Sequence, residues 1–312
     1  MPAKNPMPEV ATSSSDDSAR QVLRCPDCLG PVLGSTALEC SSCATSYAIE
    51  AGIPVLIGRA SQLNTSEVET QDHVSDQYNG VRYKRSTSVK YHEDTMEQLL
   101  ELAPPRGMVL DDGCGTGAFL EFVRRRRTQV ERYVGIDVSR GMLSHAQRRL
   151  KAAGGDPLLV QADACRLPFA ENTFDVVYAR GMLHHLPDPA RGMQEIRRVL
   201  KPGGVAVVLD PNETLLSRLP RYLARRTDHF DDDHKSFRAS ELERLVKDAL
   251  TLGETRFYGY VAYPLLGFPD LIDFDRLGIS RLAGGLMRLD RIFGVLPGIR
   301  RLGWGVMMSA RK

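Results

Sequence analysis

The chain has 312 residues, of which 42% are hydrophobic and 26% charged, the proportions of an ordinary globular protein rather than of a disordered or membrane one. A formal net charge of +2 is far from the strongly basic surface of a dedicated nucleic-acid binder. The length accommodates one large domain and one small one, so two cores of unequal size are expected.

Residues 1–20 are polar, rich in Ser, Pro and Asp, and lack the apolar stretch of a secretory signal; they read as a disordered leader. No run approaches the roughly 20 consecutive apolar residues of a transmembrane helix. Four of the six cysteines then fall into two tight pairs, Cys25-Pro-Asp-Cys28 and Cys40-Ser-Ser-Cys43, eleven residues apart. Paired thiolates at this spacing suit tetrahedral zinc, because each short turn aims two sulfurs at one point. Four thiolates leave no open position, so the metal is expected to be structural. With Cys114 and Cys165 standing alone as small packing groups, the pattern fits a reducing compartment and a cytoplasmic location. The apolar residues of 47–56 complete a zinc-ribbon-like domain over 21–58, and the aperiodic polar stretch 59–76 reads as a linker.

The larger domain is expected over 77–312. Met96, Leu99, Leu100 and Ala103 recur at helical spacing over 92–103, and Pro104-Pro105-Arg106-Gly107 ends that helix. From 108 to 210 short apolar runs alternate with helical patterns, the mark of repeated βαβ units and a parallel sheet. Strands are predicted over 108–110, 133–136, 158–161, 175–178 and 205–209. Asp188-Pro189 offers an N-cap and a first-turn proline to a helix with Met193, Ile196 and Leu200 on one face; Lys201-Pro202-Gly203-Gly204 is expected to end it.

The first of these strands runs into Asp111-Asp112-Gly113-Cys114-Gly115-Thr116-Gly117. The glycines alternate as GxGxG, without the GxGxxG spacing of dinucleotide enzymes. A turn that lets the backbone approach a ligand, feeding a helix at the carboxyl edge of a sheet, is where open α/β sheets bind their ligands. The second strand ends at Asp137, placed to accept both hydroxyls of an unphosphorylated ribose. The third ends at Asp163, which with the backbone of Ala164 suits an adenine amino group. Three successive strand ends thus grip three parts of one nucleoside.

Together with Leu167-Pro168-Phe169, Phe174-Asp175, Leu183-His184-His185-Leu186 and Leu200-Lys201-Pro202-Gly203-Gly204, this run resembles the class I S-adenosylmethionine-dependent methyltransferases. The likeness is to the ubiquinone- and menaquinone-biosynthesis branch, methyltransferase type 11. It covers about a third of the chain. The resemblance implies a Rossmann-like, mostly parallel seven-stranded sheet with its last strand antiparallel and helices on both faces. S-adenosylmethionine would lie over the carboxyl edge, with Gly113, Gly115 and Gly117 along the methionine, Asp111 orienting the loop, Asp137 at the ribose and Asp163 at the adenine. Asp112 stands where such proteins often carry an apolar residue, and is expected to point into solvent. The cysteine pairs look like the zinc-ribbon relatives fused ahead of such methyltransferases.

His184 and His185 follow a strand at the ligand edge and are candidate general bases; His229 and His234 are alternatives on the same grounds. The run Arg124 to Arg127 sits where a helix should finish and reads as a solvated end that complements the helix dipole. The charged stretch 212–240, with Arg218, Arg221, Arg225 and Arg226, is expected to be a lid. A helix over 241–250 and strands over 255–261 and 304–310 complete the domain. Between the last two strands, 262–303 is an unusually apolar insertion. It includes Leu265, Leu266, Phe268, Leu271, Ile272 and Phe274, then Leu282, Leu286, Leu289 and Phe293 at helical spacing. It suits the wall of a pocket for an apolar small molecule, or a peripheral contact with a membrane surface. The leading expectation is therefore methyl transfer to an oxygen of a small or lipid-like acceptor. Two alternatives stay open: an rRNA guanine methyltransferase whose zinc knuckle contacts RNA, and a non-catalytic module that senses the cofactor.

Overall fold

The structure, a computed structural model, describes residues 21–63, 69, 72, 75, 85–126, 129–214, 236–267 and 274–312. The expected leader, most of 59–76, Arg127, most of the expected lid with its four arginines, His229 and His234, and Phe268, Leu271 and Ile272 of the insertion lie outside those residues.

Four short strands come first: β1 (Val32–Leu33), β2 (Ala37–Cys40), β3 (Ser46–Glu50) and β4 (Ile53–Leu56). The alternating core follows as α1 (Ser86–Leu102), β5 (Arg106–Asp112), α2 (Ala118–Arg125), β6 (Gln129–Asp137), α3 (Arg140–Ala152), β7 (Leu158–Ala162), β8 (Phe174–Arg180), α4 (Pro189–Val199) and β9 (Leu200–Pro211). Then come α5 (Ala239–Ala249), β10 (Thr251–Tyr258), α6 (Ala283–Val295) and β11 (Gly305–Arg311). All strands join one sheet in the order β1-β2-β3-β4-β7-β6-β5-β8-β9-β11-β10. The expected seven-stranded core is the run from β7 to β10. Its β7, β6, β5, β8 and β9 are parallel, and β11 runs antiparallel between β9 and β10.

The cysteine-bearing segment continues this sheet instead of forming a second core. β4 pairs in parallel with β7, Val55 opposite Gln161. Leu23, Cys25, Leu38 and Leu56 lie in the same buried cluster as Leu110, Val134 and Val160. Backbone bonds from Arg24 N–H to the Pro168 carbonyl and from Ala170 N–H to the Val22 carbonyl fasten the two parts. A miniature domain with so few apolar side chains gains more by sharing a large core than by closing its own.

Helices cover both faces. Met96, Leu99, Phe119 and Phe122 of α1 and α2 pack on Val109, Val176 and Val207, while Met193, Ile196, Leu242 and Val246 of α4 and α5 pack on Leu110, Val134 and Val177. The Asp188 carboxylate accepts the Arg191 N–H at 3.0 Å, with Pro189 in the first turn, as the capping pattern predicts. α1 begins at Ser86, six residues before its expected start. Its first turn is capped by Asp275, which accepts the Ser86 N–H at 2.9 Å, and Ser88 Oγ donates to the Leu266 carbonyl at 2.7 Å. Of the arginine run, Arg125 and Arg126 pair with Glu93 and Glu97 of α1.

Candidate functional site

The chain proceeds from β5 to β6 and β7 on one side, then returns to β8 and β9 on the other. A crevice therefore opens at the carboxyl ends of β5 and β8, the switch point where such sheets take ligands. The glycine loop leaves β5 at this point and enters α2. Gly113, Gly115 and Gly117 have φ of +75°, +52° and +74°, a conformation that strains any side-chain-bearing residue. A Cβ on Gly113 would meet Met182 at 2.8 Å, and one on Gly117 would meet Ala146 at 3.0 Å. One on Gly115 would meet no protein atom within 4 Å. Two of the glycines thus serve close packing, and the middle one exposes backbone to whatever occupies the crevice.

The sequence-predicted acids lie at the ends of neighbouring strands but differ in their partners. Asp137 accepts the Gly115 N–H at 2.8 Å and the Ser139 N–H at 2.9 Å. Burial raises its pKa, and those backbone N–H groups oppose the rise. Asp163 accepts the Cys165 N–H at 2.8 Å, and Ala164 beside it is buried. Asp111 is fully buried, yet neither of its oxygens has a hydrogen-bond partner. Burial pushes its carboxyl up to about 7, against the lowering pull of Arg180. The Arg180 Nε stands 4.0 Å from Asp111 Oδ1, and its guanidinium lies over the Phe119 ring at 4.5 Å. A fully buried anion and a partly exposed cation, beyond hydrogen-bond reach of each other, are a pair that a ligand bearing both charges would satisfy.

Asp112 does not point into solvent. It is fully buried with both oxygens unpartnered, because strand alternation turns it to the face opposite Asp111, toward the cluster under α4. Burial, then the neighbouring charges of Asp111, Asp137, Asp163 and Glu195, hold its pKa well above the ordinary value. Both effects favour its neutral form.

The 3-10 turn Leu183–His185 follows β8. His184 Nδ1 lies 2.5 Å from Asp210 Oδ1, and the His184 and His185 ring centroids are 3.9 Å apart with the rings tilted at 38°. Asp210 is fully buried near the end of β9. A carboxylate on Nδ1 draws that nitrogen's proton toward it, so that in the neutral ring Nε2 is the nitrogen that would accept one. Asp210 and Arg180 both escape sequence reading. The signal for each is its place at the end of a parallel strand, the same signal that singles out Asp137.

At the opposite end of the sheet, the Sγ atoms of Cys25, Cys28, Cys40 and Cys43 all lie within 4.8 Å of one another. Cys25 and Cys43 are 3.7 Å apart, Cys28 and Cys40 3.4 Å. These separations are far beyond a disulfide and near the roughly 3.8 Å edge of a tetrahedron with bonds of about 2.3 Å. Tyr47 Oη lies 3.0 Å from Cys25 Sγ, and the Ser42 N–H donates to Cys40 Sγ at 3.4 Å, bonds of the kind that steady metal-bound thiolates.

Sheet order, glycine loop and strand-end acids define the Rossmann-like methyltransferase fold. Residues 110–208 match the family described as a methyltransferase domain. Among known proteins, the chain is 30% identical over 184 residues to cycloartenol-C-24-methyltransferase 1 of Oryza sativa subsp. japonica, covering 58% of this chain and 46% of that protein. It is 41% identical over 109 residues to the ubiquinone/menaquinone biosynthesis C-methyltransferase UbiE of Desulfotalea psychrophila, covering 34% and 42%. The chain thus spans less than half the length of these curated relatives. Among solved structures, the [4+2]-cyclase SpnF superposes with a TM-score of 0.58 at 20% identity, over 81% of this chain and 97% of that one, a likeness of fold.

Proposed function

We propose that the chain transfers the methyl group of S-adenosylmethionine to a small, lipid-like acceptor bearing a hydroxyl. The observation that carries this reading is the fully buried Asp111, its oxygens without a hydrogen bond, 4.0 Å from the Arg180 Nε at the base of the glycine loop. An amino acid's ammonium and carboxylate together would satisfy the two groups, whereas a nucleotide phosphate would meet a buried acid. In this reading Asp111 takes the ammonium and Arg180 the carboxylate, and Gly113, Gly115 and Gly117 follow the methionine. Asp137 accepts the ribose hydroxyls, and Asp163 with the Ala164 backbone holds the adenine. When bound, S-adenosylmethionine supplies a methyl group already activated by its sulfonium.

His184, oriented by Asp210, takes the proton of the acceptor hydroxyl at Nε2, and His185 packs against its ring. The remaining acceleration comes from holding the acceptor in line and excluding water. The acceptor class draws on relatives named for quinone biosynthesis and for cycloartenol. Oxygen is the acceptor atom of the main reading. A second reading, transfer to carbon, is favoured by the fact that both relatives are named as C-methyltransferases, and deprotonating a ring hydroxyl activates neighbouring carbon as well. The four cysteines hold one structural zinc ion.

Calorimetric titration of S-adenosylmethionine into the wild type and Asp137→Ala tests the reading first. Micromolar binding that the substitution abolishes is expected; a folded wild type that does not bind sinks the proposal. A labelled-methyl screen over lipids, phenols and rRNA follows, with His184→Ala retaining cofactor affinity while losing turnover. Label incorporated into rRNA alone would replace the acceptor class. Elemental analysis is expected to find one zinc per chain, lost in Cys28→Ser.

A further inference from the structure

Ten large hydrophobic side chains are exposed among the described residues, and eight of them fall between Leu277 and Leu302. They cluster on α6 and the turn after it. One stripe of α6, Ala283, Met287 and Asp290, is buried, and Gly294 lets the helix approach the Phe257 carbonyl, where a Cβ would stand 2.9 Å away. The other stripe would ordinarily be polar. Here it carries Leu282, Leu289, Ile292 and Val295, with Val295 74% exposed, and Leu296 and Ile299 extend it. A contiguous apolar surface of this kind marks a contact site.

Its surroundings are cationic. Residues 274–303 contain six arginines and two aspartates, and the arginines are exposed. Arg291 pairs with Asp94 and Arg301 with Glu243, and Asp275 is exposed next to Arg276, so the excess charge rests on Arg281, Arg288 and Arg300. Asp290 is buried and accepts the N–H groups of Tyr260, Val261 and Ala262, and Asp275 is engaged by Ser86 and Ser280. A helix apolar on its outer face and rimmed by arginine is complementary to a surface that is apolar below and anionic above. No described helix is long and apolar enough to cross a bilayer, so the contact would lie in the interface.

The patch also lies at the edge of the sheet that carries the site. Tyr258, the last residue of β10, is opposite Gly305, which is opposite Pro211 at the end of β9. Asn212, two residues beyond Asp210, donates to the carbonyls of Arg301 and Gly303 at 3.1 and 2.8 Å. The exposed turn is thereby tied directly to the strand end that orients His184.

We infer that α6 and the turn through Leu302 form an interfacial docking surface for an anionic lipid bilayer, which sets the carboxyl edge of the sheet against the membrane. The inference deepens the proposed function by naming where a lipid-like acceptor would be met, but the surface stands on exposure and charge alone.

The test is flotation of the full chain with vesicles of phosphatidylcholine, with and without about a third phosphatidylglycerol. The wild type is expected to float with the anionic vesicles, less so as salt rises, and weakly with the neutral ones. Ile292→Asp combined with Val295→Asp should weaken binding by roughly tenfold or more, since each buries apolar area in the bilayer. Arg288→Glu combined with Arg300→Glu should do so by a similar factor through loss of attraction. Leu33→Asp, an equally exposed leucine on β1, should change nothing. S-adenosylmethionine affinity, measured on the same samples, reports on the cofactor reading separately. A wild type that binds the cofactor but ignores anionic vesicles overturns the inference, as does a dimer in solution that Ile292→Asp dissolves.

Discussion

The two sides of the crevice handle buried charge in opposite ways. On the β6–β7 side, Asp137 and Asp163 accept backbone N–H groups at 2.8–2.9 Å. On the β5–β8 side, Asp111, Asp112 and the Arg180 Nε are buried with no hydrogen bond among them. An acid met by backbone donors keeps part of its charge solvated by the protein, and for Asp137 those donors oppose the rise that burial imposes. An acid without donors is costly until something cationic arrives. The difference teaches where selectivity for charge resides: in the region assigned to the methionine, while the region assigned to the nucleoside works by hydrogen-bond geometry.

If that division holds, Asp111→Asn should weaken binding only of ligands that carry the ammonium. Losing a charged hydrogen-bond acceptor costs about 1.5–3 kcal/mol, so S-adenosylmethionine should bind about 10- to 100-fold more weakly by calorimetry. Adenosine, which lacks the ammonium, should bind both forms alike. An equal loss for both ligands would show that Asp111 merely shapes the loop. The pH dependence sharpens the same point. The folded carboxyl of Asp111 titrates at about 7 against an ordinary value of 3.8, so the native chain holds a proton that the unfolded chain has released. Stability of the ligand-free chain should therefore fall as pH rises from about 4 to about 7. S-adenosylmethionine favours the ionised acid, so its affinity should rise through the upper part of that window. Asp111→Asn should flatten both profiles, as read by thermal melts and titrations across pH.

Much of this arrangement is legible in the chain itself. The glycine spacing, the acids at the ends of two strands and the paired cysteines each place a chemical group from local pattern alone, and the Asp188-Pro189 cap sets the start of α4 correctly. What escapes local pattern depends on contacts between distant segments. Asp275 caps α1 from 189 residues away, which explains a helix start earlier than its apolar periodicity implies. Asp210 gains its meaning only when β9 brings it to His184, 26 residues earlier. The merging of the cysteine-bearing strands with the large core follows from the β4–β7 pairing, which no periodicity within 47–56 announces. The burial of Asp112 was hidden for a different reason. Charge at a strand end ordinarily signals solvent, and only the layer under α4 shows which way this strand turns it.

Asp112 is also where the comparison can be broken most finely. Both acids at the end of β5 are unpartnered, but Asp111 faces Arg180 while Asp112 faces apolar side chains and other acids. If Asp112 serves no ligand, its carboxyl is an unsatisfied buried group, and the apolar, similarly sized Asp112→Val removes a penalty of about 1–3 kcal/mol. The thermal midpoint should rise by several degrees, by more at pH 8 than at pH 5, because the raised folded pKa keeps a proton that the unfolded carboxyl, ordinarily at 3.8, has already released, and that cost grows with pH. Affinity for S-adenosylmethionine should change by less than about twofold, well under one hydrogen bond's worth. A variant that melts higher but binds the cofactor tenfold more weakly would mean that both acids meet the ligand, and the division between the two faces of β5 would fall. A variant that melts lower would mean that the carboxyl has a partner in solution, such as an ordered water between it and the Met182 turn, and that water would then belong to the architecture of the site.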